Sequence, residues 1–345
     1  MRAMRLGRPS PATGGSPPLE AADVLTPVPG PNEILVRVSV CGVCRTDLDV
    51  VEGRIAAPRY PLIPGHQVIG RVVTTGTAAA AFREGDQVGI AWIHSACGRC
   101  RWCRAGTENL CPDFRSTGCD ADGGYAEYVV VPAAFAYAIP SGLTDSEAAP
   151  LLCAGAIGMR SLRLTNLVDG DPLGLVGFGA SAHLVLQVAR YRYPRSAVYV
   201  FARNPQERAF ARELGAVWAG ELADDLDVRM AAIIDTTPAW TPVVGALARL
   251  APGGRLVINA IRKSEADKDA LRRIDYASHL WMEHEIKSVA NVTREDVRQM
   301  LAAAAEIPLR PTVEELPLEQ ANAALARLAD AQAVRGATVL RVGRE

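Results

Sequence analysis

Four cysteines, Cys97, Cys100, Cys103 and Cys111, fall within CGRCRWCRAGTENLC, a C-x2-C-x2-C-x7-C run in a polar loop. Such a loop has little apolar surface to bury, and four thiolates around a tetrahedral zinc ion supply the missing core. Arg99, Arg101 and Arg104 would partly offset the negative charge of that complex. An iron-sulfur cluster is the rival, since C-x2-C-x2-C with a final Cys-Pro can hold one, but the last gap is long and no second cysteine group follows. Three further candidates are Cys44 in CGVCRTDLDV, His66 in PGHQVIG and Cys153 in PLLCAGAIG. Each is ordinary alone, because a Cys is commonly a small buried hydrophobe and a lone His a core or surface residue. Together they form a Cys2His set, the kind that leaves one tetrahedral position open for substrate.

A different chemistry is written in VGFGASAH, where Gly177, Gly179 and Ala182 give G-x-G-x-x-A between an apolar strand and a helix. Gly177 permits a tight turn, Gly179 lets backbone approach a pyrophosphate, and Ala182 allows close helix-to-sheet packing with the helix N-terminus facing the anion. An ordinary turn is the bland alternative, and the strand, turn, helix and following strand favour a dinucleotide site. After the next strand, AVYVF, come Ala202, Arg203 and Asn204 rather than a carboxylate. Arg203 could pair with a 2′-phosphate, which favours NADP, the alternative being NAD bound without the usual acid and Arg203 as a solvated charge.

These residues need elements to position them. A chain of 345 residues, 49% hydrophobic and 22% charged, is long enough for roughly two domains with a sizeable core. With 37 Lys+Arg against 38 Asp+Glu it carries no electrostatic footprint for nucleic acid or an anionic membrane. Its N-terminus lacks the apolar core of a signal peptide, and the longest apolar stretch, 173–189, holds three glycines, His183 and Gln187. The expectation is a cytoplasmic protein whose eight cysteines stay reduced. Residues 1–30 read as an irregular arm. Segments 33–40, 67–75, 86–92 and 124–131 read as short strands between Gly and Pro breakers. After Pro150 the texture changes to short apolar runs at 173–177, 197–201, 231–235, 255–259 and 286–290, alternating with helical patterns such as 205–214. That alternation predicts a doubly wound parallel sheet in an α/β fold. The expected organisation is a β-rich domain over 1–150, a dinucleotide-binding domain over 151–290, and a return of 291–345 to the first.

Taken in order, CGVCRTD, PGH, the four-cysteine lobe, GGYAEY (123–128), LLCAGAIG and GFGASAH make the chain resemble the zinc-dependent alcohol dehydrogenases of the medium-chain dehydrogenase/reductase superfamily, from about residue 30 onward. The resemblance implies a GroES-like catalytic domain holding two zinc ions, a Rossmann domain, an active site between them, and a homodimer or homotetramer acting on a small alcohol or aldehyde. It implies that Cys44, His66 and Cys153 bind catalytic zinc, that Thr46 hydrogen-bonds the substrate oxygen, and that Asp47 orients a ligand. Arg45 would approach the pyrophosphate, and Ile55 and Trp92 would line the substrate pocket. The implied reaction is hydride transfer between an alcohol and NAD(P), with the metal as Lewis acid. A zinc-free double-bond reductase of the same superfamily, and a non-catalytic zinc- or redox-responsive binding protein, are the rival readings.

The remaining conspicuous residues read blandly. Cys41 and Cys119 read as packed thiols, His94, His183, His279 and His284 as structural or exposed, and 262–273 as a solvated charge cluster. Two positions depart from the family pattern. Gln67 stands where Glu usually follows the zinc His, which keeps hydrogen bonding but removes a negative charge near the metal. Asp49 stands where many members place a proton-relay His. A carboxylate titrates about two units below imidazole, so alcohol oxidation should show a weaker or shifted pH dependence. Asp49→His should restore an imidazole-like limb to the pH-rate profile, and an unchanged profile would remove Asp49 from the relay.

Overall fold

The computed structural model of the chain describes residues 1–307, 309, 311–330 and 336–343. They form two compact units, one of residues 1–153 with the described part of 291–345, the other of residues 154–290.

The first unit is built on strands β1 (Arg2–Leu6), β2 (Leu19–Asp23), β3 (Glu33–Val43), β4 (Gln67–Thr75), β5 (Gln87–Ile90), β6 (Ile93–Ser95), β7 (Arg115–Ser116), β8 (Tyr128–Pro132) and β9 (Ala136–Ala138). The second contributes β10 (Leu173–Val176), β11 (Val198–Phe201), β12 (Trp218–Gly220), β13 (Met230–Asp235), β14 (Leu250–Ile258) and β15 (Glu285–Ser288), and the chain returns to the first with β16 (Val313–Pro317) and β17 (Ala337–Arg341).

In the first unit a sheet runs β16-β17-β3-β4-β5-β9, with β8 pairing the N-terminal half of β3. β3 is the hub because its sequence, EILVRVSVCGV, is β-branched and apolar enough to be buried along most of its length. Ile34, Val36, Val38, Ile69, Val88, Ile90 and Val131 are almost wholly buried. The sheet delivers both β3 and β4 to the chemistry: β3 ends one residue before Cys44, and β4 begins one residue after His66.

Residues 1–30 correct the expectation of an irregular arm. β1 and β2 form an antiparallel ribbon, and Ala3 and Leu6 bridge onward to Ala126 and Leu62. Ala3, Met4, Leu6 and Leu19 are buried. The Pro- and Gly-rich stretch between them masks two strands too short to show a period, which long-range pairing stabilises.

The second unit is a parallel sheet of order β12-β11-β10-β13-β14-β15. LGLV of β10 is buried throughout, as expected for a central strand covered on both faces. On one side Val176, Phe201, Ile233, Val243, Leu247 and Leu256 make a continuous apolar cluster. The two sheets are the Rossmann and GroES-like folds expected. No helix among the described residues is long and apolar enough to cross a membrane.

The solvated cluster over 262–273 holds an exception. The Lys263 side chain is nearly covered and its Nζ pairs with Asp235, which has no exposed surface, at the end of β13. The ammonium also donates to the carbonyls of Thr237 at 2.7 Å and Ala239 at 3.0 Å, and the other Asp235 oxygen accepts from Thr237 Oγ1 at 2.7 Å. Charge patterning along a sequence cannot separate one desolvated lysine from its exposed neighbours; only strand β13, distant in sequence, supplies its partner. Lys263→Met leaves a buried carboxylate short of its counter-charge and should lower unfolding free energy by about 3 kcal/mol in a denaturant titration. A loss below about 0.5 kcal/mol would show that the pair does not hold this loop.

Candidate functional site

Cys44 ends the extended run of β3 and is the N-cap of the helix Arg45–Val51. Asp47, in the first turn, accepts a hydrogen bond from the Cys44 backbone at 2.9 Å, so helix start and ligand position are fixed by one carboxylate. The second oxygen of Asp47 is 2.7 Å from His66 Nδ1. A buried carboxylate can only accept there, so Nδ1 carries the hydrogen and Nε2 is left as a lone-pair donor. The Tyr125 hydroxyl donates to Asp47 at 3.4 Å.

His66 has no exposed surface. It follows Gly65, whose φ is +99° and whose missing side chain would meet the Tyr125 ring at 2.4 Å and Cys41 Sγ at 2.9 Å. Only glycine fits there, and the turn it makes aims His66. Cys153 follows the short turn Ala149–Leu152, whose residues are all buried.

These elements bring the three side chains together. Cys44 Sγ and Cys153 Sγ lie 4.0 Å apart, and His66 Nε2 is 3.2 Å from Cys153 Sγ. Tetrahedral zinc with bonds near 2.3 Å to sulfur and 2.0 Å to nitrogen spaces its ligands by roughly 3.5–3.8 Å, so the set fits that ion. Hydrogen bonding to Cys153, outweighing burial, holds the Cys44 thiol well below its usual range. Cys153 is pushed up by the same bond and by burial. Burial works against a charged His66, yet Asp47 and Cys44 together raise it to about 10. The metal-free pocket thus shares protons among groups that must release them to a cation.

The four-cysteine lobe is a second convergence. Cys97 Sγ lies 3.9 Å from Cys103 Sγ, Cys100 Sγ lies 3.6 Å from Cys103 Sγ, and all four sulfurs sit within 4.8 Å of one another. Backbone amides already point at sulfur: Cys97 N–H to Cys111 Sγ at 3.5 Å and Cys100 N–H to Cys97 Sγ at 3.4 Å. Backbone hydrogen bonds from the Arg99 and Cys100 amides hold the Cys97 thiol down at about 6. Of the three arginines expected to offset charge, Arg101 stacks on Trp102 at 4.2 Å and Arg104 donates to the Arg99 carbonyl.

Around the Cys2His set, Thr46 is half-buried in the first turn and Arg45 is exposed beside it. Trp92 stands edge-on to His66, 5.0 Å between ring centres. Ile55 is half-buried, its amide bonded to the Asp49 carbonyl. Gln67 is buried and packs over Gly42, where a β-carbon would lie 2.8 Å from its Oε1. Asp49 does not stand alone: its buried carboxylate is ion-paired with Arg54 at 2.5 Å. The bond to Arg54 was invisible in sequence, where only the position relative to Cys44 could be read.

In the second unit Gly177 has φ +78° and a β-carbon there would meet Thr236 and Thr237, while Gly179 faces open space. The helix Ala182–Arg192 begins directly after, with Ala182 fully buried. Arg203 is exposed after β11. Arg208, missed by the sequence reading, donates to the carbonyls of Ala202 at 3.0 Å and Arg203 at 3.1 Å and pairs with Glu221. Arg208 lies in the first turns of the helix Pro205–Glu213 that follows Arg203, and a second arginine that close after the strand was the available signal. Asp235 and Lys263 were missed as well, although they order Thr237 behind Gly177.

Residues 30–141 match a family described as the alcohol dehydrogenase GroES-like domain. The chain is 45% identical to a probable alcohol dehydrogenase of Mycobacterium tuberculosis over 99% of this chain and 97% of that one. Among solved structures it is similar to an NAD-dependent alcohol dehydrogenase, 27% identical with a TM-score of 0.87 over 99% of this chain and 100% of the other. It is likewise similar to a cobalt- and zinc-bound thermostable alcohol dehydrogenase from Pyrobaculum aerophilum, 25% identical with a TM-score of 0.85 over 99% of each. Asp47→Asn keeps an oxygen near His66 but removes the charge, and should weaken zinc binding 10- to 100-fold in competition with a chromogenic chelator, by about the usual loss for such a partner. Unchanged affinity would mean that Asp47 does not hold the ligand in its metal-binding tautomer.

Proposed function

The chain belongs to the zinc-dependent alcohol dehydrogenases of the medium-chain dehydrogenase/reductase superfamily, and on that premise we propose how its own residues run the NAD(P)-linked interconversion of alcohols and carbonyl compounds. The observation that carries the proposal is the closure of Cys44, His66 and Cys153 on one point with Asp47 behind His66. Those three residues would hold one zinc ion, and Cys97, Cys100, Cys103 and Cys111 a second, structural one. The catalytic ion, when bound, supplies Lewis acidity toward an alcohol or carbonyl oxygen, and the nicotinamide accepts or gives the hydride.

What the chain does around that chemistry follows from its own groups. Asp47 keeps the hydrogen on His66 Nδ1, so that Nε2 stays a ligand throughout turnover. Thr46, in the first turn of the helix that Cys44 caps, takes the substrate hydroxyl proton at its Oγ1 and passes it outward. Arg54 pairs with the Asp49 carboxylate and fixes its position on the helix that Cys44 caps. Ile55 and Trp92 shape the pocket for a small alcohol or aldehyde, and Arg45 meets the pyrophosphate.

Gly177, Gly179 and Ala182 would receive the dinucleotide at the N-terminus of Ala182–Arg192. Arg203 and Arg208 flank the end of β11 and favour NADP, a 2′-phosphate replacing Glu221 as partner of the guanidinium. A second reading rests on Glu207, half-buried and raised by burial, whose carboxylate lies toward the Phe178 amide of the glycine turn. Such an acid suits the ribose hydroxyls of NAD. Six of the eight cysteines stand as thiols in the two candidate metal sets, a use that suits a reducing, cytoplasmic setting. β15 is an exposed edge strand that carries exposed Ile286 and follows exposed Trp281, and supports a homodimer joined there.

Elemental analysis on protein purified without added metal should give two zinc ions per chain. The same preparation should reduce aldehydes with NADPH in preference to NADH, a preference that Arg203→Ser lowers about tenfold. It should also sediment as a dimer that Ile286→Glu weakens. One zinc per chain with no turnover would sink the catalytic set, and an NADH preference indifferent to Arg203 would turn the cofactor reading to NAD.

A further inference from the structure

One wall of the Cys2His set is held from a distance. The indole Nε1 of Trp92 donates to Asn291 Oδ1 at 2.9 Å, and the Asn291 amide nitrogen donates onward to the Asn109 carbonyl at 3.4 Å. Trp92 is only 8% exposed, so a lost partner would leave a buried N–H in apolar surroundings. Asn109 lies in the turn between Cys103 and Cys111, inside the four-cysteine lobe. Three residues past Asn291, Arg294 grips the same turn: its backbone amide and its Nε both donate to Glu108 Oε1, at 3.1 and 3.0 Å. Asn291 itself has φ +51°, a left-handed conformation that asparagine tolerates better than a branched or bulky residue would.

We propose that Asn291 is a positioning residue for substrate selection: its amide locks the Trp92 indole edge-on to His66 and ties that wall to the four-cysteine lobe. The inference rests on the reading of Trp92 as a pocket residue. Tryptophan has the largest side chain available, and its ring centre is 5.0 Å from that of His66. A locked indole there leaves room for a slender carbonyl compound and excludes one branched next to the carbonyl. Without the lock, the ring has an unpaired N–H and can rotate toward solvent or another acceptor, which opens the space to branched substrates. Sequence alone gave no sign of this, because Asn291 lies 199 positions from Trp92 and in no recognisable motif.

The test uses the zinc-loaded full chain and compares kcat/KM for reduction of acetaldehyde and of 2,2-dimethylpropanal. Asn291→Gly removes the amide without straining the backbone, and should raise the ratio of branched to unbranched kcat/KM about tenfold, in the range that pocket-size changes produce. Zinc content and the KM for the nicotinamide cofactor should stay as in the parent. Asn291→Asp keeps an acceptor for the indole and should hold the ratio within about twofold of the parent, a rescue that a merely structural role would not give. Trp92→Phe, which folds around an aromatic of smaller size and has no N–H, should shift the ratio by itself, and adding Asn291→Gly to it should produce no further shift. If Asn291→Gly leaves the ratio unchanged while Trp92→Phe moves it, the pocket reading stands and the role of Asn291 is overturned. If neither moves it, Trp92 is not a pocket residue and both readings fall.

Discussion

The hydrogen bond between Asp47 and His66 is the constraint on which the catalytic half of the molecule turns. It buries a carboxylate and an imidazole at 2.7 Å, with 2% and no exposure respectively. Neither group is tolerable there alone, because an isolated charge or an unsatisfied ring nitrogen in that setting costs several kcal/mol. The same carboxylate caps the helix that Cys44 begins and accepts from Tyr125. One buried acid therefore sets a helix start, a ring orientation and a thiol position together. Gly65 completes the arrangement by clearing space for Tyr125.

The four-cysteine lobe solves a different problem. Its helix, Arg101–Arg104, is four residues long and has no buried residue, so neither propensity nor apolar packing can hold it. Sulfur takes the place of a core, with backbone amides turned inward toward it. The lobe is then fastened to the rest of its unit by polar contacts, the Glu108–Arg294 pair and the Asn109–Asn291 bond, rather than by a shared hydrophobic layer. Arg294 also lies over the Phe135 ring at 4.8 Å, which gives the pair an apolar floor.

The dinucleotide-binding unit uses ordinary parallel-sheet physics and one unusual device. Apolar strands buried on both faces bring the ends of β10 and β13 side by side, and the turn at Gly177 packs onto Thr236 and Thr237. Thr236 is held by the Val176 carbonyl and Thr237 by Asp235, whose charge is met by Lys263 from the loop after β14. A buried ion pair is a weak source of stability compared with apolar packing, but it has only one satisfactory geometry. That property suits a backbone turn that must keep one conformation.

Residue spacing was enough to single out both sets of side chains that could hold a metal, the glycine turn and the alternation of strands with helices, because each is a pattern with a chemical requirement. Four cysteines in one short loop, or G-x-G-x-x-A after an apolar run, admit few uses. The family motifs, read in order, extended this to Asp47 and Thr46. The ribbon of residues 2–23, the burial of Lys263, the pairing of Asp49 with Arg54, and the Trp92–Asn291–Asn109 chain were not legible. Each depends on a partner supplied by folding, and a hydrogen bond or ion pair formed across a distant stretch of chain leaves no periodicity behind. The sequence alone determined which atoms could bind a metal or a dinucleotide; the tertiary structure decided which charges are neutralised and which side chains are held still, because desolvation and distance exist only in the folded chain.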